Sequence, residues 1–440
     1  MMKYIFLYFM LLSATGISQN AKELVDKGHS AYVKGDFDTA LQHYVRVLNI
    51  EPADFEAALF TGIILYSRAN YEDALSFLNR CRQSSNNSTP LYYLAECNFY
   101  LERYDQASEL YSKFLIKSHS DFDLVQRASD QLRNAKFASA ALLMPAPVFR
   151  IPDWLNELSS DADDYNPWLT EDGTLFFCSD RYLDRDYDLY RSKWSGSSYS
   201  RPERISGPLS TSNDETELSV SGSGNVIVFT ASAWCPPQTN CKTSYTIKTA
   251  FLSRGVWSSP RIVSDNICYY SVLDSGTGRT KWLFDESIAN PGLSADGKSL
   301  FFASKRPGGI GGFDLWVSLL SDSGWARPYN LGPAINTPGH EADPCLLADG
   351  KTLFFSSTGH PGFGGYDFFF SVFSAGQWSS PSNLGKPFNT SGDEFDLFVP
   401  ESGMQFWFNR STPSKRNPKR SIRQLQVIEL IEPLPVLQKK

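Results

Sequence analysis

Three stretches decide the fold: Ser294–Arg306 reads SADGKSLFFASKR, Leu347–His360 reads LADGKTLFFSSTGH, and Pro400–Arg410 reads PESGMQFWFNR. Their turn glycines, Gly297, Gly350 and Gly403, lie 53 residues apart, and each precedes a short aromatic strand. The same interval separates Asp314 from Asp367, Trp325 from Trp378 and Asn336 from Asn389. Two earlier copies, TEDGTLFFCSDR around Gly173 and SGSGNVIVFTAS around Gly224, repeat the turn and the strand. A period of about 40–50 residues built from short strands is the pattern of a β-propeller.

The spacing also counts the blades. In regular copies the aromatic of a W-x-x-P element lies 25 residues before the next turn glycine, as for Tyr199 and Gly224, Trp325 and Gly350, and Trp378 and Gly403. From Trp257 to Gly297 the interval is 40, and from Gly224 to Trp257 it is 33 where later copies have 28. Neither excess holds another blade of about 50 residues. The longer insertion, Ile267 to Phe284, reads as a hairpin around a Gly-rich turn. Five blades are therefore expected rather than six. After Gly403 the chain supplies strands at Gln405–Phe408 and near Gln424–Leu430, without another W-x-x-P element. Val148–Leu155 is expected to provide the missing outer strand, so that both ends of the domain close the ring and no edge stays open.

Upstream the period changes. Gly28, Gly62 and Ala95 recur at 34 and 33 residues, as do Ala40, Ala74 and Ala107, and Phe37, Tyr71 and Tyr104. Each copy offers a small residue where two helices cross, a turn, and an apolar-periodic second helix. Asp123 to Leu143 reads as a further amphipathic helix that caps the stack, and the prolines Pro145 and Pro147 mark a junction. The pattern resembles the tetratricopeptide repeat (TPR), which implies a helical solenoid of three repeats. Lys3, the apolar run Tyr4–Leu12 and the small residues before Ser18 form the pattern of a secretory signal peptide. That run is too short to span a bilayer, and no stretch of eighteen apolar residues occurs elsewhere. The expected organisation is a signal peptide at 1–18, TPR repeats at 19–122, capping helix and linker at 123–146, a propeller at 147–432 and a tail at 433–440.

Chemistry is harder to find. A net charge of −7 and the lack of basic runs, apart from Lys415 to Arg420, argue against nucleic acid as a partner. Of seven cysteines, Cys235 and Cys241 bracket a Pro-Pro loop and are the disulfide candidates. Cys81, Cys97, Cys178, Cys268 and Cys345 fall in apolar patterns and read as buried thiols. Acidic pairs at Asp163-Asp164, Asp214-Glu215 and Asp393-Glu394, with His340-Glu341, accompany Arg181, Arg306 and Arg410. Repetition points to structural pairing between blades rather than to a ligand ring. The segments Gly308–Asp314 and Gly362–Asp367 precede strands, not helices, and read as hairpin turns using positive-φ glycines rather than phosphate loops. Asp184, Asp186 and Asp188 alternate but lack the glycine and glutamate of a calcium loop. His340 and His360 have no third ligand or marked nucleophile beside them. No catalytic residue, metal or cofactor is expected.

The binding candidates are on the inward face of the first helices: His29 and Tyr32, then Leu59, Ile63 and Tyr66, then Tyr92, Glu96 and Phe99. Aromatics at helical spacing on a concave face offer large contact area to a partner segment. The order of signal peptide, TPR stack and propeller repeats with NLGPAINT and LADGKTLFFSS resembles a family of exported Bacteroidetes-type proteins whose propellers are TolB-like and called WD-repeat-like. Many relatives in that family continue into an OmpA-like peptidoglycan-binding domain, and some serve type IX secretion or gliding machinery at the outer membrane. The resemblance implies a periplasmic location and protein partners of the cell envelope. This sequence stops at Lys440, so peptidoglycan binding is not expected of it. The expected function is a non-enzymatic scaffold for protein–protein interaction. The alternative is a peptide- or glycan-binding module that uses the propeller mouth, and a hydrolase ranks third.

Overall fold

The structure, a computed structural model, describes residues 20–81, 87–118, 121–181, 186–211, 213–232, 245–273, 280–285, 287–413 and 421–437. The signal-peptide segment, the Cys235–Cys241 loop, Asp184 and the basic cluster from Lys415 lie outside these residues. Two compact units divide between Leu143 and Met144.

The first unit is a TPR-like stack of helices: α1 (residues 20–33), α2 (Phe37–Ile50), α3 (Phe55–Ser67), α4 (Tyr71–Cys81), α5 (Thr89–Tyr100), α6 (Tyr104–Lys117) and α7 (Phe122–Ala141). The repeated small residues are the crossing points. A Cβ on Gly28 would stand 2.6 Å from the Tyr44 ring, and one on Gly62 would stand 2.5 Å from Leu78 Cγ. Ala40, Ala74, Ala95 and Ala107 are wholly buried. Asp36, Asp54 and Asp121 cap their helices by accepting the backbone N–H of Thr39, Ala57 and Leu124. Helix α7 packs on α6 and buries Ala128, Ala135 and Ala138.

The second unit is a five-bladed propeller. The first strands of the five blades, in order, are Asp164–Leu169, Glu215–Val220, Ala289–Leu293, Glu341–Leu346 and Glu394–Phe398. Strands from successive blades touch in cyclic order around the axis, the fifth meeting the first. Second strands such as Thr174–Ser179 and Thr352–Ser357 are buried along their whole length. Each lies between two neighbouring blades, which is why the sequence there is apolar on both faces. Blade 5 takes its outer strand from the far end of the domain: Phe149 pairs with Leu430 and Arg150 with Glu429. The closing strand is only Phe149–Arg150, shorter than the expected Val148–Leu155, because Pro152 and the helical turn Leu155–Leu158 interrupt it. The insertion ahead of blade 3 is a hairpin, Tyr269–Leu273 with Thr280–Phe284, paired with no other sheet among the described residues. Leu434 and Leu437 pack on the propeller core, so residues 433–437 lie against it. Cys81, Cys97, Cys178, Cys268 and Cys345 are buried free thiols.

Candidate functional site

The repeated acids and arginines are architecture: the first acid of a pair reaches the neighbouring blade, Asp214 accepting the Tyr187 N–H and Asp393 the Tyr366 N–H, whereas the arginine pairs lie within a blade. Arg181 bonds Asp164 at 2.6 Å, Arg306 bonds Asp285 at 2.7 Å, and Arg410 bonds Glu394 at 3.2 Å. Each arginine also donates to a backbone carbonyl ahead of its blade: Leu158, Ile267, and Pro387 with Phe388. In blade 3 the acid is Asp285, because Ser287-Ile288 stand where the other blades carry their acidic pair. Glu215 and Glu341 have no arginine at this place and are held by Thr211 and by Thr337 with Ser357. Burial without that countercharge pushes both up to about 7. Asn336 and Asn389 are structural too: each amide accepts from and donates to the backbone of a third strand, at Leu315 and Phe368.

The Gly-rich segments are turns closed by aspartate, as expected. Asp314 accepts the backbone N–H of Gly311 at 3.0 Å, and Asp367 accepts that of Phe363 at 2.6 Å. Their glycines serve close approach more than positive φ, which only Gly308 adopts among them. A Cβ on Gly311 would fall 2.1 Å from Thr337 O, and one on Gly364 would fall 2.1 Å from Gly392 O. His340 accepts the Phe313 N–H at Nδ1, while His360 bonds the Ile335 carbonyl. Both histidines are therefore engaged in holding turns.

On the helical unit the candidate residues divide. His29, Tyr32, Ile63 and Tyr66 are half-buried and line one face of α1 and α3. Leu59, Tyr92 and Phe99 are buried core instead. Tyr92 packs against Tyr111 and Phe114 of α6, and Phe99 against Tyr104, so both point at the second helix of their repeat. Their half-exposed places on the inner face are taken by the next residues along, Phe60, Tyr93 and Tyr100. The resulting strip consists of two ring clusters: His29 and Tyr32 contact Phe60, and Tyr66 contacts Tyr93 and Tyr100. Glu96 is buried at 3% exposure beneath it, accepting the Tyr66 and Tyr111 hydroxyls at 2.7 Å each. Burial, and then the neighbouring Glu96 carboxyl, raise the Tyr66 phenol far above its usual range. Asp121, the N-cap of α7, and Arg127 within it stand close enough to act on Tyr93, giving one end of the strip a polar rim.

The propeller has a mouth of its own. A cavity of about 450 Å³ opens at one end of the axis, with Trp168, Val220, Leu293, Leu346 and Phe398 contributed one from each blade. Glu171 and Glu401 are also in its wall.

Five further residues escape a reading of the sequence. Asn166, Glu217, Asn290, Asp343 and Asp396 all have left-handed backbones, with φ of 55, 49, 48, 51 and 57°. Each sits at a register shift in the first strand of its blade. The signal was present: Asn290, Asp343 and Asp396 keep the 53-residue beat, and three of the five precede proline. Burial raises both Asp343 and Asp396, the latter to about 6, with Arg423 opposing the rise in Asp396.

Fold and surfaces together define a two-unit repeat protein, a TPR-like helical stack followed by a five-bladed propeller. A family model described as anaphase-promoting complex, cyclosome, subunit 3 matches residues 33–114, within the helical unit. No curated protein sequence matches the chain. Among solved structures, the first TPR of Spaghetti (RPAP3) bound to the HSP90 peptide SRMEEVD is 20% identical, with a TM-score of 0.26, over 28% of this chain and 95% of that one. A TolB-type protein from Agrobacterium tumefaciens is 16% identical, with a TM-score of 0.38, over 63% of this chain and 83% of that one. The α-L-arabinofuranosidase PaAbf62A from Podospora anserina, in complex with cellotriose, is 13% identical, with a TM-score of 0.40, over 66% and 98%. Likenesses at this level do not bear on activity.

Proposed function

We propose that the chain is a non-enzymatic scaffold that holds a protein partner on the inner face of its helical stack. The observation that carries the reading is the pair of half-exposed ring clusters on this face, Tyr32 with Phe60 and Tyr66 with Tyr93 and Tyr100. Rigid aromatics of this kind give contact area at low cost in side-chain entropy. Export to the periplasm is part of the proposal and is supported by the Lys3 and Tyr4–Leu12 pattern. Association with an outer-membrane assembly, of secretion or gliding type, is supported by the family resemblance in the repeats.

The test is site-specific photo-crosslinking in cells. A photoreactive amino acid at Tyr93 is expected to trap a defined envelope protein, and the Tyr32→Ala, Tyr100→Ala double variant is expected to abolish that adduct without lowering helicity. The same adduct from an outward position such as Lys113, or its persistence in the double variant, would refute the groove. Tyr66→Ala is unsuitable here because it removes a donor from buried Glu96. The second reading, a peptide- or glycan-binding module, is favoured by the 450 Å³ mouth. Saturable binding of muropeptides or glycans that is lost in Glu171→Gln plus Glu401→Gln would favour it over the scaffold.

A further inference from the structure

The 53-residue interval makes blades 3, 4 and 5 copies of one design, so the interface between one pair can be compared with the next. Between blades 3 and 4 a cleft of about 630 Å³ opens beside the turn glycine Gly350. Blade 3 lines it with Phe301, Val317, Leu319 and Tyr329, and blade 4 with Leu346 and Trp378. No charged side chain is in its wall. Leu319, Tyr329 and Phe373 of that wall are 45, 53 and 39% exposed. Apolar side chains gathered in one exposed place mark an interaction surface more often than scattered ones do.

The counterpart between blades 4 and 5 is covered by the chain itself. Moved along by 53 residues, Phe301, Leu346 and Gly350 become Phe354, Val399 and Gly403. Phe354 and Val399 belong to the buried cluster on which Leu434 and Leu437 pack. A Cβ on Gly403 would stand 2.7 Å from Leu437 Cδ1, whereas one on Gly350 would meet nothing beyond its chain neighbours within 4 Å. The difference follows from how the blades end. In blade 4 the third strand, Asp367–Ser374, turns back so that Gln377 and Trp378 pair with its last residues. After the third strand of blade 5, Ser421–Leu430, the chain runs on through residues 433–437, which read Pro-Leu-Pro-Val-Leu and carry no charge. Between blades 2 and 3 the cleft is bridged in another way: Asn266 Nδ2 donates to the Trp325 carbonyl at 2.8 Å. Val263 and Leu331 hold equivalent places, each donating its N–H to a third strand, at Ile247 and Leu315, so Asn266 corresponds to Ala334. Ala334 has no side-chain donor with which to reach across to Trp378. The cleft between blades 3 and 4 thus lacks both devices that cover its neighbours.

We propose that the cleft between blades 3 and 4 is a docking site for an extended, uncharged segment of a protein partner that carries two leucine-sized side chains, the chemistry with which Leu434 and Leu437 cover the next interface. A second copy of this chain is a poorer occupant, because its own residues 433–437 are already seated beside its Gly403. The site is on the propeller and does not depend on the helical face. The probe is a fluorescein-labelled Pro-Leu-Pro-Val-Leu peptide added to the full chain, with binding read by fluorescence anisotropy and stoichiometry by calorimetry. Saturable binding of one peptide is expected, weakened roughly tenfold or more when either leucine of the peptide is replaced by alanine. Leu319→Glu plus Tyr329→Glu, at two exposed positions, is expected to abolish binding without lowering the melting temperature. Tyr32→Ala plus Tyr100→Ala is expected to leave it unchanged. Leu434→Ser plus Leu437→Ser uncovers the counterpart and is expected to raise the stoichiometry to two. Absence of saturable binding to the wild-type chain overturns the proposal, as does binding that survives Leu319→Glu plus Tyr329→Glu or is lost in the helical variant. A stoichiometry that stays at one in a folded Leu434→Ser, Leu437→Ser chain overturns the likeness on which the choice of occupant rests. A dimer of the wild-type chain in sedimentation that dissociates in Leu319→Glu plus Tyr329→Glu would give the cleft to a second copy and overturn the partner.

Discussion

Removing Arg306 from blade 3 tests the claim that the repeated arginines are structural. The guanidinium is 5% exposed and its partner Asp285 is 1% exposed. It donates to Asp285 Oδ2 from Nε at 3.0 Å and from Nη2 at 2.7 Å, and to the Ile267 carbonyl at 2.6 Å. Arg306→Ala leaves a buried carboxylate without its countercharge, which costs about 3–5 kcal/mol. It also strips a partner from the Ile267 carbonyl, which costs about 1 kcal/mol more. At about 2–4 °C per kcal/mol for a domain of a few hundred residues, the propeller transition should fall by roughly 10 °C or more. Trp316 reports the event locally, since its ring lies 5.5 Å from the guanidinium carbon and its Nε1 donates to Ser304 O. Tryptophan fluorescence during thermal or urea unfolding is the assay. Arg306→Leu combined with Asp285→Leu removes both charges and should recover most of the loss. A single-variant penalty below about 1 kcal/mol, within the range of an exposed ion pair, would refute the argument. So would a double variant as unstable as the single one.

Three more outcomes follow from the same structure. Gly62→Ala places a methyl 2.5 Å from Leu78 Cγ and should destabilise the helical unit by about 1–3 kcal/mol; an unchanged helical melt by circular dichroism would contradict the crossing-point reading. His340 is held neutral by burial and by Lys305, so its folded-state pKa is lowered. Its contribution is thus present above its unfolded pKa of about 6.5 and lost as pH falls, when protonation breaks the Phe313 N–H bond; Tyr366 is the other titratable neighbour. His340→Asn should flatten melting temperature against pH below that point, and an identical profile would count against it. A chain starting at Asp161 lacks Phe149–Arg150 and should melt lower or aggregate, whereas one starting at Ala146 should stay monomeric; equal melting curves would dismiss closure by the outer strand.

The fold was legible because its repeated residues perform the same task in every copy. Asn336 and Asn389 pin the same strand of their blades, Gly28 and Gly62 admit the equivalent residue of the second helix, Tyr44 and Leu78, and a fixed interval is what identical tasks leave in a sequence. The binding face was legible only in part. A helix turns about 100° per residue, so counting placed Leu59, Tyr92 and Phe99 on the groove when Phe60, Tyr93 and Tyr100 are there. Asp285 was hidden because the hairpin insertion shifts it off the interval shared by the other blade acids. The five left-handed residues were hidden for a different reason: a bulge with positive φ leaves no mark on composition, and Asn-Pro or Asp-Pro reads as an ordinary turn.

The two-residue strand at Phe149–Arg150 also bears on when the propeller becomes a propeller. Arg150 and Glu429 are 279 positions apart in the chain. Bringing such distant segments together costs about 5 kcal/mol of chain entropy before any of the pairing energy is returned. Four blades can form from neighbouring segments as they become available, but the fifth must wait for the last one. Until then the chain exposes unpaired strand edges on both sides of the gap. The final closure is consequently the slow, long-range step, and the interval before it is when this protein is most exposed to proteases and to edge-to-edge aggregation.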